Sequence, residues 1–161
     1  MIECDAPKFT EARRQAMKYV CDASGGKTWF RIETEAEATA ESDVMRHKVA
    51  KYFYQEKDKA TRSFVPSSRV PFEREIGLAA HIQTEMPLFL TLRDGDGNNL
   101  VTAMLPPGGQ ERDGFSPIIV GVSNGDPYPE HGEAIRALGD HFGIKLDRAR
   151  CYPYGGAKSR I

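Results

Sequence analysis

Residues 87–105, PLFLTLRDGDGNNLVTAML, constrain the fold more than any other part of the sequence. Apolar side chains alternate along two runs, and the Asp, Gly and Asn residues between the runs tolerate the backbone angles of tight turns. A period of two places alternate side chains on opposite faces of a strand. The segment therefore predicts a β-hairpin within a larger sheet.

The first part of the chain has a helical pattern followed by a strand pattern. From Lys8 the sequence KFTEARRQAMKYVCDASGG predicts a helix that ends at Gly25 and Gly26. The apolar face of this helix would consist of Phe9, Ala12, Ala16 and Val20. The following residues, TWFRIE at 28–33, alternate as a half-buried strand does.

A long amphipathic helix is expected after this strand. Thr34 and Glu37 have the spacing of a capping box, in which each side chain accepts a hydrogen bond from the backbone of the other residue. The helix would end near Arg62 and carry an apolar stripe of Ala38, Met45, Val49, Tyr52 and Phe53. Because one small sheet does not easily cover this stripe, the sequence predicts a homodimer.

An internal break is predicted at residues 63–72, where two prolines disfavour the helical conformation. A shorter helix follows at 72–86. Its inward face is predicted to be Phe72, Ile76, Ala79 and Ala80. After the hairpin we expect a mobile loop at 106–116 and an inner strand at 117–123.

The last helix is predicted to have Pro129 in its first turn and Gly143 as its C-terminal cap. Residues from Ile144 onward offer an edge strand, followed by a flexible basic tail at 155–161. Together these elements predict a single α+β domain over residues 1–161. Its sheet should be mainly antiparallel, with about five strands, and packed by helices on one face.

Composition argues against several classes of protein. The chain has 161 residues, with 22 Lys and Arg against 23 Asp and Glu, and a net charge of −1. This balance gives no overall field that attracts a polyanion. No apolar run has the length of a signal peptide or a membrane-spanning helix, and the three cysteines form no C-x-x-C pair. We therefore expect a cytoplasmic protein with free thiols, without membrane association and without a cofactor.

His131, Gly132 and Glu133 stand in the first turn of the last helix. This H-x-E triplet, followed by a thiol at Cys151, is similar to the metal motif of zinc deaminases over residues 88–151. The resemblance implies a metal ligand at His131 and a general acid or base at Glu133. A catalytic zinc needs three protein ligands, and only one cysteine follows the triplet. We therefore expect that both residues serve the helix terminus and that no metal is bound. The alternative is a metal site in which His141, Asp147, Cys4 or Cys21 supplies the third ligand by a geometry that the family does not use.

Two segments are candidates for binding. The turn before the last helix contains Ser123, Asn124, Gly125 and Asp126, and backbone N–H groups at a helix start favour an anion or a carboxylate. In the C-terminal segment, basic and aromatic residues are interleaved, among them Arg148, Arg150 and Tyr152. His47 has charged neighbours at helical spacing and is expected on a solvated surface.

No catalytic constellation in the sequence is complete, so the leading prediction is a non-enzymatic binding or regulatory module that acts through protein–protein contacts. A small enzyme with an acid/base or metal site at His131 and Glu133 is the first alternative. A nucleic-acid-associated protein that uses the basic C-terminal tail is the second alternative.

Overall fold

Within residues 17–154, which the computed structural model describes, an antiparallel sheet of five strands forms the middle layer. The strands are, in spatial as in sequence order, β1 (Lys18–Ala23), β2 (Lys27–Ile32), β3 (Leu88–Arg93), β4 (Asn99–Leu105) and β5 (Ile118–Val120). The helices are α1 (Glu35–Met45), α2 (Val49–Arg62), α3 (Pro71–Glu85) and α4 (Tyr128–Phe142). The expected α+β fold and its antiparallel sheet are confirmed.

Helices cover both faces of the sheet, whereas the sequence predicted helices on one face only. Trp29, Leu90 and Val101 belong to the core between the sheet and α4. Ile32 and Phe89 belong to the core between the opposite face and the other three helices. The central strand β3 explains the difference, because its first five residues are buried whichever face they point to. A strand covered on both sides needs a layer on each.

The hairpin predicted at residues 87–105 is confirmed as β3 and β4, with Leu90 opposite Ala103. In the turn, one carboxylate oxygen of Asp94 accepts the backbone N–H groups of Asp96 and Asn98, each at 2.9 Å. These bonds close the turn locally, as Asp side chains commonly do.

Helix α4 lies where the sequence predicted it. Ile135 and Leu138 are buried, and Gly143 ends the helix with a left-handed φ of 74°. The indole N–H of Trp29 donates a hydrogen bond of 2.8 Å to the carbonyl of Ala134, which fixes the helix on the sheet.

The segment after α4 folds back closely onto the helix at Gly139. The N–H of Ile144 donates to the carbonyl of Gly139 at 3.0 Å. A Cβ at position 139 would lie 2.6 Å from the carbonyl oxygen of Ile144. Glycine is therefore required here by space and not by backbone angles.

Strand β1 replaces part of the helix predicted from Lys8 to Gly26, so that prediction is wrong over Lys18–Ala23. Residues 8–16 lie outside the described residues. Gly25 and Gly26, with φ of 77° and 75°, connect β1 to β2 as a hairpin. A short apolar run fits a helix and a strand equally well, and pairing with β2 decides between them.

Two helices replace the single long helix predicted from Thr34 to Arg62. The capping box at Thr34 is confirmed, but α1 ends at Arg46, which adopts left-handed angles (φ 58°, ψ 49°). Helix α2 then begins anew, and the Ser42 hydroxyl accepts the N–H of Ala50 at 2.8 Å. No glycine or proline marks this break in the sequence.

The predicted apolar stripe is mostly buried in the chain's own core, at Ala38, Met45, Val49 and Phe53, whereas Tyr52 is exposed. The surface that suggested a homodimer is therefore already covered by the sheet. The homodimer itself stays a prediction.

Helix α3 confirms a helix after the break, but the inward face predicted for it is wrong. Phe72, Ile76, Ala79 and Ala80 are all exposed. The partly buried side of the helix is Gly77, Leu78, His81 and Ile82. The register differs because the helix packs through its second half, where Ile82 and the adjoining Met86 join the core beside Phe53.

Strand β5 is an edge strand of three residues and not the inner strand predicted at 117–123. The edge strand expected from Ile144 onward is reduced to a single parallel bridge between Ile118 and Tyr152. In this bridge the N–H of Tyr152 donates to Pro117 at 2.8 Å, and the N–H of Ile119 donates to Tyr152 at 3.2 Å. None of the helices in the described part of the chain is long and apolar enough to cross a membrane.

Candidate functional site

A cleft of about 380 Å³ opens between the α1–α2 connection, the sheet and the C-terminal segment. We call it the His47 cleft. It is lined by Arg46, His47, Lys48, Val49, Tyr52, Phe89, Thr102, Ala103, Met104, Ile118, Val120, Asn124, Tyr152 and Pro153. Its volume lies within the range of small-molecule sites, which combine an apolar surface with a few polar groups.

His47 and Thr102 line the cleft and begin a hydrogen-bonded chain of polar side chains that continues to the buried Glu41. Nε2 of His47 lies 2.8 Å from Oγ1 of Thr102, and the Thr102 hydroxyl donates to a carboxylate oxygen of Glu41. Glu41 is fully buried. Asn99 donates to its second carboxylate oxygen at 2.6 Å, and Arg93 donates to the same oxygen at 3.4 Å. The buried charge is therefore paired and hydrogen-bonded, as burial requires.

The contacts of His47 assign its ring protons. Nδ1 accepts the backbone N–H of Val49 at 3.4 Å, so Nε2 carries the proton and donates to Thr102. Burial lowers the pKa of His47, and the Glu41 carboxylate acts in the opposite direction. His47 is therefore neutral near pH 7, and both of its nitrogens have protein partners.

The rim of the cleft is basic and is formed by two tight connections. Arg46 and Lys48 are exposed on either side of His47, and Arg46 has the left-handed backbone described above. Asn124, in the turn before α4, also lines the cleft and has a positive φ of 62°. No acidic side chain is among the described residues that line the cleft. Left-handed angles in residues other than glycine are costly and occur preferentially at functional sites.

Of the binding residues predicted from the sequence, Asn124 and Tyr152 line this cleft. Ser123 and Gly125 share the tight turn with Asn124, in which the N–H of Gly121 donates to Gly125 at 2.7 Å. The turn predicted before α4 and the C-terminal segment are thus brought together in space.

Asp126, Arg148 and Arg150 do not line the cleft but are used in contacts within the chain. Asp126 accepts the N–H of Tyr128, the first residue of α4, at 3.0 Å, and it pairs with Arg148 at 2.9 Å. The guanidinium of Arg148 also lies 4.5 Å from the ring centre of Tyr154. Arg150 pairs with Asp147 at 3.4 Å.

The structure places His131 and Glu133 in different surroundings. Nδ1 of His131 lies 3.0 Å from Nζ of Lys27, at the start of β2. Burial and the Lys27 charge lower the pKa of His131. Glu133 is exposed and lines a depression of about 640 Å³ with Arg136 and Arg148, and His131 is not among its lining residues.

Cys151, the thiol that follows the H-x-E triplet, is buried in the apolar core, and burial raises its pKa to about 11. A protonated thiol is a poor metal ligand. Among residues 17–154, no three His, Cys, Asp or Glu side chains are grouped so that they could hold a metal ion. Cys4 lies outside that range.

Sequence reasoning missed His47, which was assigned to a solvated surface. Its partner Thr102 is 55 residues away on the sheet, so helical spacing carries no sign of the contact. One signal was available: Thr102 interrupts the apolar run LVTAML at a position that had to be buried. A hydroxyl at such a position needs a hydrogen-bond partner.

Comparison of the chain with protein-family models, with curated proteins and with solved structures gives no significant match. The functional argument therefore depends on the geometry of the chain itself.

Proposed function

We propose that this chain is a non-enzymatic binding module whose ligand site is the His47 cleft. The ligand class is a small molecule with an apolar body and one anionic group, either a carboxylate or a phosphate. The apolar body would lie against Phe89, Met104 and Val120, and the anion would face Arg46 and Lys48.

The observation that carries this proposal is the combination of an apolar cleft with a rim that is basic and not acidic. Apolar contact supplies affinity roughly in proportion to the area buried, at about 25 cal/mol per Å². Charged and polar groups at the rim fix the orientation of the ligand and select its charge. Arg46 and Lys48 flank His47 in sequence, so one connection presents both cationic groups.

Binding is favoured over catalysis by the state of the polar chain beneath the cleft. Both nitrogens of His47 have protein partners, so His47 has no free position for taking a proton from a ligand. Thr102 is only 3% exposed, and its hydroxyl donates to Glu41, so His47 does not activate it as a nucleophile. The hydrogen bonds among His47, Thr102 and Glu41 therefore hold the floor of the cleft in place.

The test is a titration of the full chain with octanoate and with octanol, an uncharged probe of similar length, followed by calorimetry and methyl NMR. We expect octanoate to bind at least fivefold more tightly than octanol. The methyl signals of Val49, Met104 and Val120 should shift. The double variant Arg46→Gln with Lys48→Gln should bind octanoate no better than octanol.

Lys51→Gln is the matched control, because Lys51 is exposed in the first turn of α2, close to Lys48 in sequence, but does not line the cleft. It should leave both affinities unchanged. Equal affinity for the two probes in the parent protein, or methyl shifts confined to another surface, would refute the proposal.

The two alternatives have less support. An acid/base site at His131 and Glu133 would need both groups to face one ligand, but His131 faces Lys27 and Glu133 lines a depression without it. A nucleic-acid surface in the C-terminal segment would need free cations, but Arg148 and Arg150 are each paired with a carboxylate. Residues 155–161 lie outside the described part of the chain.

Protein partners, a homodimer and a cytoplasmic location also remain proposals. Cys21 and Cys151 are free thiols, which is in keeping with a reducing compartment. A dimer would require a surface other than the buried stripe of α1 and α2. Sedimentation between about 1 and 100 µM, well above and below the Kd of a typical weak dimer, measures the oligomeric state directly.

A further inference from the structure

A second cavity, of about 400 Å³, adjoins the His47 cleft, and we call it the α2 cavity. It lies between the second half of α2, the end of α3 and the connection from β4 to β5. Met104 and Ile118 line both this cavity and the His47 cleft, and they are opposite each other in the pairing of β4 with β5. The two cavities therefore meet over one pair of apolar side chains.

One face of α2 runs along both cavities. Val49 and Tyr52, near the start of the helix, line the His47 cleft. Glu56, Ala60 and Ser63 line the α2 cavity. These five residues follow one another at intervals of three or four, so their side chains lie on the same side of the helix. From Val49 to Ser63 the chain advances about 21 Å, at about 1.5 Å per residue, so the cavities are arranged end to end along α2.

The two cavities differ in charge. Among the described residues, the lining of the His47 cleft includes Arg46 and Lys48 and no acidic side chain. The described lining of the α2 cavity has two acidic and two basic side chains, which are Glu56, Glu85, Lys59 and Arg112. Ser63 and Ser116 add hydroxyl groups to it. The α2 cavity therefore suits an uncharged polar group, which can both donate and accept hydrogen bonds there.

We propose that the two cavities form one groove that binds a linear amphiphile, an inference that rests on the proposed function of the His47 cleft. The anionic end of the ligand lies at Arg46 and Lys48, its aliphatic chain crosses Met104 and Ile118, and an uncharged polar end lies in the α2 cavity. Carbon–carbon bonds of about 1.5 Å advance an extended chain by about 1.25 Å per bond. Hexadecanoate therefore spans about 19 Å, close to the length of the groove, whereas octanoate spans about 9 Å.

The test compares fatty acids with and without a terminal hydroxyl, by calorimetry on the full chain below their micelle concentrations. The end of octanoate stays near Met104 and Ile118, where a hydroxyl loses water without gaining a partner. We expect 8-hydroxyoctanoate to bind at least threefold more weakly than octanoate. The end of hexadecanoate reaches the α2 cavity, so 16-hydroxyhexadecanoate should bind at least threefold more tightly than hexadecanoate. The methyl NMR signal of Ala60 should shift with the two longer acids only.

Two variants act on the α2 cavity alone. Glu56→Leu replaces a polar side chain of its lining by an apolar one, so hexadecanoate should then bind more tightly than 16-hydroxyhexadecanoate. Ser116→Phe narrows the cavity, and it should weaken both longer acids at least fivefold while octanoate keeps its affinity. Gln55→Leu is the matched control, because Gln55 is exposed on the same helix and lines neither cavity. It should leave all four affinities unchanged.

The outcomes separate this inference from the proposed function. Weaker binding of 16-hydroxyhexadecanoate than of hexadecanoate in the parent protein would overturn the single groove, even where octanoate still binds more tightly than octanol. Affinities that stay the same in both Glu56→Leu and Ser116→Phe would overturn it as well. Equal binding of octanoate and octanol would instead refute the proposed function, and the groove with it.

Discussion

At the level of single residues, Thr102 is required to make two hydrogen bonds with one hydroxyl. This hydroxyl accepts from His47 and donates to the buried carboxylate of Glu41. Glu41 has no access to water and depends on Thr102, Asn99 and Arg93 for its hydrogen bonds. Among the described residues, no buried side-chain nitrogen or oxygen lacks a partner. The network is therefore complete, and the loss of one member leaves another without its bond.

Thr102→Val tests this network. The substitution nearly preserves volume but removes the hydroxyl, so one carboxylate oxygen of Glu41 and the Nε2–H of His47 lose their partner. We expect the free energy of unfolding in urea to fall by about 2–3 kcal/mol. Thr84→Val, at an exposed position of α3, should change it by less than about 0.5 kcal/mol. Similar values for the two variants would mean that the network contributes little to stability.

At the level of elements, the position of the segment after α4 depends on how closely it can approach that helix. Helix α4 and the chain after it touch at Gly139, where the carbonyl of Ile144 leaves no room for a side chain. Gly132, in the first part of the same helix, has open space around the position of a Cβ. The two glycines therefore make opposite predictions for the same substitution.

Gly139→Ala should destabilise the protein by about 1–3 kcal/mol, because the added methyl group forces the helix and the following segment apart. Gly132→Ala should stabilise it by about 0.5–1 kcal/mol, since alanine is a better helix former. Thermal and urea unfolding of both variants measure these changes. An unchanged free energy of unfolding in Gly139→Ala would show that the segment after α4 can move away from the helix at little cost.

The elements also show what sequence could and could not predict. The hairpin at 87–105 and helix α4 were correct, because each has a strong period and its own turn or cap residues. The break at Arg46 was missed because a left-handed arginine has no signature in sequence. The helical period of α3 was recognised, but the side of the helix that faces the core was predicted wrongly. Which side packs depends on residues that are distant in sequence. Asn124 and Tyr152, which the sequence predicted as binding residues, line one cleft, but the cleft itself is a tertiary feature without a sequence signal.

At the level of the whole molecule, two histidines on opposite sides of the sheet respond to pH in the same direction. Burial lowers the pKa of His47 and, with Lys27, that of His131. The unfolded chain, with histidine pKa values near 6.5, therefore takes up protons before the folded chain does. Their contribution to stability is complete above pH 6.5 and is lost as the pH falls toward the lower pKa values of the folded state.

Urea midpoints measured from pH 7.5 to pH 5 should therefore decrease steadily below pH 6.5. His47→Gln and His131→Gln should each make this dependence shallower, and the double variant should make it shallower still. Midpoints that rise on acidification, or that fall equally in the double variant, would contradict the assignment.

The His47 cleft takes its walls from parts of the chain that lie far apart in sequence: the connection at Arg46, the strand at Thr102, the turn at Asn124 and the segment at Tyr152. Under the proposed function, the cleft is complete only after Tyr152 has joined the edge of β5. A ligand bound there would therefore stabilise copies in which all four segments are assembled over partly folded copies.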